Sequence, residues 1–460
     1  MPTERCGSFS AKFDHNSSVQ GKPIARWGHK ADGSLRDGRA AGEYMEDTMK
    51  GLKWSMAVMT AALLVVGFGS MAFAFHSGGV AQCEGCHSMH SAQSGALLTK
   101  SDIGSTCLNC HENAEGDTEP TRYHISTRTQ DLDAGNGKAP IQRSPGGDFG
   151  WLKMSYTYVT HGDTINEAGA SHGHNILAAD NGYTEIDGAT APGGTFPSAQ
   201  LTCTSCHDMH GQYRRFADGT IKTTGLPIAN SGSYNDSADP ISGSTAVGVF
   251  RLLAGKGWTQ DGIQFVVDPP AAVVNKNYNK SEDVLQVRDA YGKGMAEWCS
   301  TCHPDMHTNS GRLTHPVSQN LASLTATYNS YVKSGDMTGS QLTSFNSLVP
   351  YEEDTLNYAT LKSIASNNAK QQPGPTVTTS DVMCLSCHRA HASGWPDMLR
   401  FEYQSEFMVY NGLYPGIDNA AAGYAMGRTE AETKAAYYDR PVSDFSIYQR
   451  VLCNKCHAKD

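Results

Sequence analysis

The stretch CEGCHSMH, Cys83–His90, has two cysteines separated by two residues, and a histidine follows the second cysteine directly. A second histidine, His90, comes three positions later. The Cys-x-x-Cys-His pattern recurs five more times, so that twelve of the thirteen cysteines belong to six copies of one motif. The other copies are CLNCH (Cys107–His111), CTSCH (Cys203–His207), CSTCH (Cys299–His303), CLSCH (Cys384–His388) and CNKCH (Cys453–His457).

This spacing is the attachment signature of c-type haem. The two thiols form thioethers with the porphyrin, and the adjacent imidazole binds the iron as its proximal ligand. The sequence therefore predicts six covalently bound c-type haems. The predicted thioether residues are Cys83, Cys86, Cys107, Cys110, Cys203, Cys206, Cys299, Cys302, Cys384, Cys387, Cys453 and Cys456, and the predicted proximal ligands are His87, His111, His207, His303, His388 and His457. Structural zinc is the competing interpretation, but zinc sites do not require a histidine after every cysteine pair.

The composition argues against an ordinary apolar core. Hydrophobic residues are 39% of the 460 residues, and there are 47 glycines and 19 prolines, so the haems must supply much of the apolar interior. We expect a multihaem cytochrome c fold, mostly coil or loop with short helices and a few short strands, wrapped around a chain of six c-type haems. Each haem motif should occupy a single helical turn.

Local patterns predict a few longer elements. We expect helices over residues 318–334 and 429–438 and strands over 151–160 and 262–267. Residues 212–298 contain neither Cys nor His, and we expect a surface excursion there, with Tyr213 and Phe216 as packing residues.

The N-terminal region predicts export. Residues 49–74 combine Lys50 and Lys53, an apolar stretch and an Ala72-Phe73-Ala74 cleavage site, which is typical of a secretory signal peptide. An uncleaved membrane anchor is the alternative, which the short apolar stretch disfavours. Residues 75–460 would then form the hexahaem cytochrome domain. A polar stretch is not expected before a signal peptide, so we predict that translation starts at Met49 and that residues 1–48 are a non-native extension.

Ten further histidines in residues 75–460 could bind the six irons from the other face. His90, His210 and His391 each follow a proximal histidine by three residues, and His307 follows one by four. On a helical turn such pairs point to the same side, so the second histidine must reach a different haem. The distal candidates are His90, His124, His174, His210, His315, His391, His307 and His76, of which six are needed; His161 and His172 are left out. Methionine ligation is the competing possibility, but Met89, Met209 and Met306 are expected to pack at haem edges.

Several stretches resemble one family closely. FHSGGVAQCEGCHSMH (residues 75–90), SCHDMHGQYRRF (205–216), CLSCHRAHASG (384–394) and LCNKCHAKD (452–460) are similar to OmcS-like outer-surface hexahaem cytochromes of metal-reducing bacteria. The resemblance spans residues 75–460 and implies extracellular filaments in which all six haems have two histidine ligands. It also implies that His90 binds the fifth haem of the neighbouring subunit, the haem held by Cys384, Cys387 and His388.

The predicted function is electron transfer without enzymatic activity. The secreted protein, exported through the periplasm to the outer cell surface, would polymerise with itself, take electrons from outer-membrane cytochrome conduits and pass them to metal oxides, electrodes or partner cells. The net charge of −10 does not favour nucleic-acid binding, which needs basic patches. The alternatives are a multihaem reductase of the nitrite or sulfite type and a monomeric periplasmic shuttle. Such reductases often carry Lys in place of the motif histidine, and no Cys-x-x-Cys-Lys occurs in the sequence.

Overall fold

The computed structural model describes residues 83–307, 317–344, 349–369 and 372–457. The expectations for the N-terminal extension, the signal peptide, His76 and His315 concern residues outside these ranges. Within them, turns and irregular segments dominate, as the sequence predicts. No helix in the described part is long and apolar enough to cross a membrane.

The helices are short. The α-helices span Cys83–Cys86, Ile103–His111, Met295–Cys299, Pro304–His307, Leu324–Ser330, Gln341–Ser344, Tyr358–Ala365, Cys384–Cys387, Glu430–Ala436 and Asn454–His457. The third haem motif forms a 3₁₀ turn, Cys203–Ser205, instead.

The strands are shorter still and form small separate sheets. They are β1 (Tyr156–Thr160), β2 (Asp163–Glu167), β3 (Arg214–Arg215), β4 (Ile221–Lys222), β5 (Val247–Gly248), β6 (Thr259–Gln260), β7 (Ile263–Gln264), β8 (Ala272–Val273), β9 (Ala290–Tyr291), β10 (Gln319–Asn320), β11 (Glu352–Glu353), β12 (Ser380–Val382), β13 (Phe407–Tyr410) and β14 (Tyr448–Arg450). The largest sheet has the order β10-β12-β11-β9-β8, in which only β11 and β9 run parallel. The remaining sheets are β1-β2, β13-β14, β4-β3-β5 and β6-β7.

The haem motifs share one backbone hydrogen bond. The amide of the motif histidine donates to the carbonyl oxygen of the first motif cysteine, at 2.7 Å in the first motif, 3.0 Å in the third and 3.0 Å in the fifth. This bond closes a helical turn, which brings both thiols and the imidazole to one side of the backbone. The expected single turn at each of these motifs is therefore confirmed.

The predicted longer elements are only partly correct. The helix expected over 429–438 forms as Glu430–Ala436, because Thr429 and Glu432 make a reciprocal capping box. The helix expected over 318–334 is shorter, Leu324–Ser330, because residues before it pair with β12 as β10. The strand expected over 151–160 starts at Tyr156, since Phe149–Lys153 forms a 3₁₀ turn. In place of the strand expected over 262–267, only β7 forms, paired with β6.

The expected surface excursion over residues 212–298 is wrong. Strands β3 to β9 all lie in this segment, and Val247, Ala272 and Val273 are completely buried. Strands of two residues are too short to show an alternating pattern, so they could not be predicted from the sequence. The packing role expected for Tyr213 is confirmed: the side chain is buried and its hydroxyl donates to the Gly255 carbonyl oxygen at 2.8 Å.

Aromatic side chains fill much of the interior. In the largest buried cluster, the Trp395 and Tyr437 rings lie 5.2 Å apart and the Tyr414 and Tyr437 rings 5.5 Å apart. Each such side chain buries a large area, so a few of them stabilise a chain that is poor in aliphatic residues.

Candidate haem-binding sites

The predicted proximal histidines are oriented by backbone carbonyl groups. In the first, third and fifth motifs, Nδ1 of the histidine lies 2.7 to 2.8 Å from a carbonyl oxygen: His87 from Ala96, His207 from Arg251 and His388 from Asp397. In the second and fourth motifs the acceptors are Tyr123, 2.7 Å from His111, and Pro192, 2.8 Å from His303. A carbonyl oxygen can only accept, so Nδ1 carries the proton and Nε2 is left to bind iron.

The acceptors in the first, third and fifth motifs belong to one recurring turn. Ala96, Arg251 and Asp397 all have left-handed backbone, with φ of 55°, 50° and 58°. The residue two positions later then forms an isolated bridge with the motif histidine, in the pairs His87–Leu98, His207–Leu253 and His388–Leu399. The three motifs are therefore copies of one structural unit.

The sequence signal for this unit is longer than the spacing of the two histidines. The first, third and fifth motifs all continue as Cys-x-x-Cys-His-x-x-His, and an apolar pair follows. In the first and fifth copies the pair, Leu97-Leu98 and Met398-Leu399, starts seven residues after the second histidine. In the third copy Leu252-Leu253 starts 42 residues after it, so the separation is 35 residues longer.

Histidine rings meet in pairs across the fold. The ring centroids of His87 and His210 are 6.4 Å apart, with their planes 10° from parallel. Those of His303 and His174 are 6.1 Å apart at 34°. Metal–imidazole bonds are about 2 Å long, so two imidazoles on opposite faces of one iron have centroids roughly 6 Å apart. These pairs fit a bis-histidine haem iron.

A third pair fits the same spacing. The His207 and His391 ring centroids are 6.4 Å apart, with an angle of 58° between the planes. His391 also stacks on Phe149 at 4.6 Å. Burial, the largest effect, lowers the pKa of His391 to about 3 and that of His174 to about 4. Both imidazoles are therefore neutral at physiological pH, which is the form that binds iron.

His124 lies near the second motif. It is buried, and burial, partly opposed by the charge of Asp117, lowers its pKa. The charge of His111 lowers the pKa of His124 further, which indicates that the two imidazoles are neighbours. His124 is thus positioned to serve the second haem.

The other candidates are placed differently. His90 is exposed at the surface of the single chain. His307 Nε2 lies 4.0 Å from the Glu297 carboxylate.

The two histidines that the sequence left out have other environments. His161 is exposed at the tight turn between β1 and β2, with φ of 51°. His172 is completely buried, and both of its ring nitrogens have partners: Nδ1 lies 2.9 Å from the Trp151 carbonyl oxygen and Nε2 lies 2.6 Å from Glu167 Oε1. Neither nitrogen of His172 is left for iron.

The cysteine pairs follow one another in chain order. The side chain of Cys107 adjoins that of Cys203, and the side chain of Cys299 adjoins that of Cys384. These contacts join the second motif to the third and the fourth to the fifth.

Further contacts between cysteine side chains complete the series. Cys86 neighbours Cys107, Cys206 neighbours Cys302, and Cys387 neighbours Cys453. Each motif therefore adjoins the next, from the first to the sixth.

The zinc interpretation lacks support in the geometry. Across residues 83–307, 317–344, 349–369 and 372–457, no three His, Cys, Asp or Glu side chains converge as metal ligands. A structural zinc site needs four such ligands at one point, whereas the paired histidines leave room for a metal held in a planar macrocycle between them.

Comparisons with known proteins agree with this arrangement. Residues 76–116 match the family model of the doubled CXXCH motif. The chain is 47% identical over 440 residues to the C-type cytochrome OmcS of Geobacter sulfurreducens, an alignment that covers 89% of this chain and 100% of the relative.

Two solved structures are also similar. One is the cryo-EM structure of the OmcS nanowires from Geobacter sulfurreducens, with a TM-score of 0.78, 46% identity, and coverage of 84% of this chain and 100% of that chain. The other is the outer membrane cytochrome S filament from the same organism, with a TM-score of 0.76, 45% identity and the same coverage. The fold and the repeated sites define a multihaem c-type cytochrome with six covalently bound haems. Within that class, the chain belongs to the OmcS family.

Proposed function

We propose that this protein carries electrons outside the cell along its six haems, as the subunit of a filament made of its own copies. The observation that supports this most directly is how the repeated units supply ligands to one another. The extra histidine of the third motif, His210, faces His87 of the first, and that of the fifth, His391, faces His207 of the third. Each unit therefore completes the haem of the unit before it.

The same rule leaves His90 of the first motif without a haem to bind, and leaves the haem of the fifth motif without a distal ligand. His388 of the fifth motif would need the extra histidine of a following unit, and the first unit of a second copy offers His90. His90 is exposed in the single chain, as this role requires. A head-to-tail contact of this kind does not close on itself, so it extends into a filament.

The proposed distal ligands follow from these pairs. His210 would serve the first haem, His124 the second, His391 the third, His174 the fourth and the neighbour's His90 the fifth. The sixth haem, held by Cys453, Cys456 and His457, would take its ligand from the remaining candidates His76, His307 and His315. The motif cysteines would form the thioethers.

The haem irons supply one-electron chemistry, and the chain sets their spacing and electronic environment. The backbone carbonyls hold Nδ1 of the proximal imidazoles in the first five motifs and so raise their basicity as ligands. Bis-histidine ligation occupies both axial positions, which leaves no iron open for substrate. We therefore propose an electron carrier and not an enzyme.

The proposed location of the filament and its electron donors and acceptors rest on the export signal and on the similar proteins. One of the similar solved structures is an outer membrane cytochrome S filament. We propose that this chain is exported and secreted, receives electrons from outer-membrane cytochrome conduits and delivers them to metal oxides, electrodes or partner cells.

The test is the substitution His90→Ala. The variant should retain six covalent haems by pyridine haemochrome analysis but lose filaments by electron microscopy, because the fifth haem no longer binds the next copy. The control is His161→Ala, which changes an exposed histidine at the β1–β2 turn. Normal filaments with an unchanged spectrum in His90→Ala would contradict the proposal.

A further inference from the structure

A buried ionic cluster lies beside two of the proposed distal ligands. It consists of His172, Glu167 and Arg428, whose side chains are 0%, 3% and 0% exposed. His172 Nε2 lies 2.6 Å from Glu167 Oε1, and Arg428 Nη2 donates to the same oxygen. Burying charges is costly unless they are paired and hydrogen-bonded, so the cluster holds these three residues together tightly.

One end of the cluster holds the segment that carries His174. The His172 ring is fixed from both sides, by Glu167 and by the Trp151 carbonyl oxygen at 2.9 Å. The carbonyl oxygen of His172 accepts a hydrogen bond from the Ser393 amide at 3.0 Å. His174 follows two residues later, so little backbone separates the fixed ring from the proposed ligand.

The other end holds the segment that carries His391. Arg428 donates through Nε and Nη2 to the Gly394 carbonyl oxygen at 3.1 and 2.6 Å. Its guanidinium also packs over the rings of Tyr156, at 4.1 Å, and Trp395, at 4.5 Å. Gly394 lies three residues after His391, and its carbonyl oxygen is held by the buried guanidinium of Arg428.

The two segments are in direct contact between these anchors. The His174 amide donates to the His391 carbonyl oxygen at 2.9 Å, and Gly173 pairs with Ala392. A side chain at Gly173 would place its Cβ 2.4 Å from the His391 carbonyl oxygen. The backbones are therefore packed as closely as possible, and a shift of one segment moves the other.

We infer that His172, Glu167 and Arg428 are positioning residues that set the ring planes of His174 and His391, and with them the axial geometry of the third and fourth haem irons. This inference rests on the proposed function, since it takes these two histidines as ligands. The angles to be maintained are 34° between His174 and His303 and 58° between His391 and His207. The electron paramagnetic resonance spectrum of a low-spin bis-histidine haem depends on this angle.

The test is Glu167→Gln in the full chain, which keeps the size of the side chain and removes its charge. We expect six attached haems, with the resonance positions and midpoint potentials of two haems shifted and those of four unchanged. The matched control is Glu282→Gln, which removes the charge from another buried pair, with Arg440 at 2.8 Å. It should leave the signals of the third and fourth haems unchanged.

If Glu167→Gln does not fold, a second variant tests the same inference. His172→Gln keeps a polar side chain and should produce the same two shifts. A lowered melting temperature with unchanged spectra in the folded variant would overturn the inference and reduce the cluster to a structural role. If the unmodified protein itself lacked low-spin bis-histidine signals, the proposed ligation would fail instead.

Discussion

The backbone N–H of His174 donates to the carbonyl oxygen of His391 at 2.9 Å. The first ring faces His303 of the fourth motif and the second faces His207 of the third. One hydrogen bond thus connects the proposed distal ligands of two successive irons. Electron transfer between neighbouring haems depends on their relative placement, which a backbone contact between the two ligand segments would help to maintain.

The pairing of His210 with His87 predicts a defect confined to one haem. In His210→Ala, the first haem should lose its distal ligand and become high-spin, while five haems stay low-spin. Optical and electron paramagnetic resonance spectra would count the high-spin iron, and six haems should remain attached. The exposed His161→Ala variant serves as the control. An entirely low-spin spectrum in His210→Ala would show that another residue binds this iron.

The left-handed backbone at Asp397 predicts a second local effect. Its carbonyl oxygen accepts from His388 Nδ1 at 2.7 Å, and the Asp397 φ in this turn is 58°. A β-branched residue strongly disfavours this conformation, so Asp397→Val should cost about 1–2 kcal/mol. It should also weaken the hydrogen bond and raise the midpoint potential of the fifth haem, since the imidazole becomes a poorer donor.

Asp397→Gly is the matched control, because glycine adopts positive φ freely and removes the same carboxylate. Protein-film voltammetry should separate the two variants. Equal potentials in the glycine and valine variants would show that the turn does not tune the haem.

The sequence predicts those features that are encoded over a few neighbouring residues. The haem motifs and the helix capped by Thr429 and Glu432 are of this kind, since the interacting groups are three or four residues apart. The pairing of His87 with His210 joins residues 123 positions apart. The apolar pair Leu252-Leu253, which marks the left-handed turn at Arg251, lies too far along the chain from the third motif to be connected with it from the sequence, and strands such as Ala272–Val273 are too short for any periodicity. Those features depend on packing around the haems and become visible only in three dimensions.

A buried carboxyl group in the largest sheet predicts how stability depends on pH. Glu352, in β11, is 2% exposed, and its Oε2 accepts from the Met295 amide at 3.3 Å. Burial, and then the charge of Glu297, raise its pKa from 4.5 to about 8. The unfolded chain releases this proton near pH 4.5 and the folded chain near pH 8. The stabilising contribution is therefore complete below about pH 4.5 and is lost as the pH rises to 8.

Glu352→Gln should remove this dependence, because the amide stays neutral and keeps an oxygen for the Met295 amide. Above pH 8 the variant should be more stable than the unmodified protein by a few kcal/mol, on the order of the pKa shift converted to free energy, and near pH 4 the two should agree. Denaturation midpoints measured from pH 4 to pH 9 would follow the difference, with the exposed Glu185→Gln as control. Parallel curves for Glu352→Gln and the unmodified protein would mean that folding does not raise the pKa of Glu352.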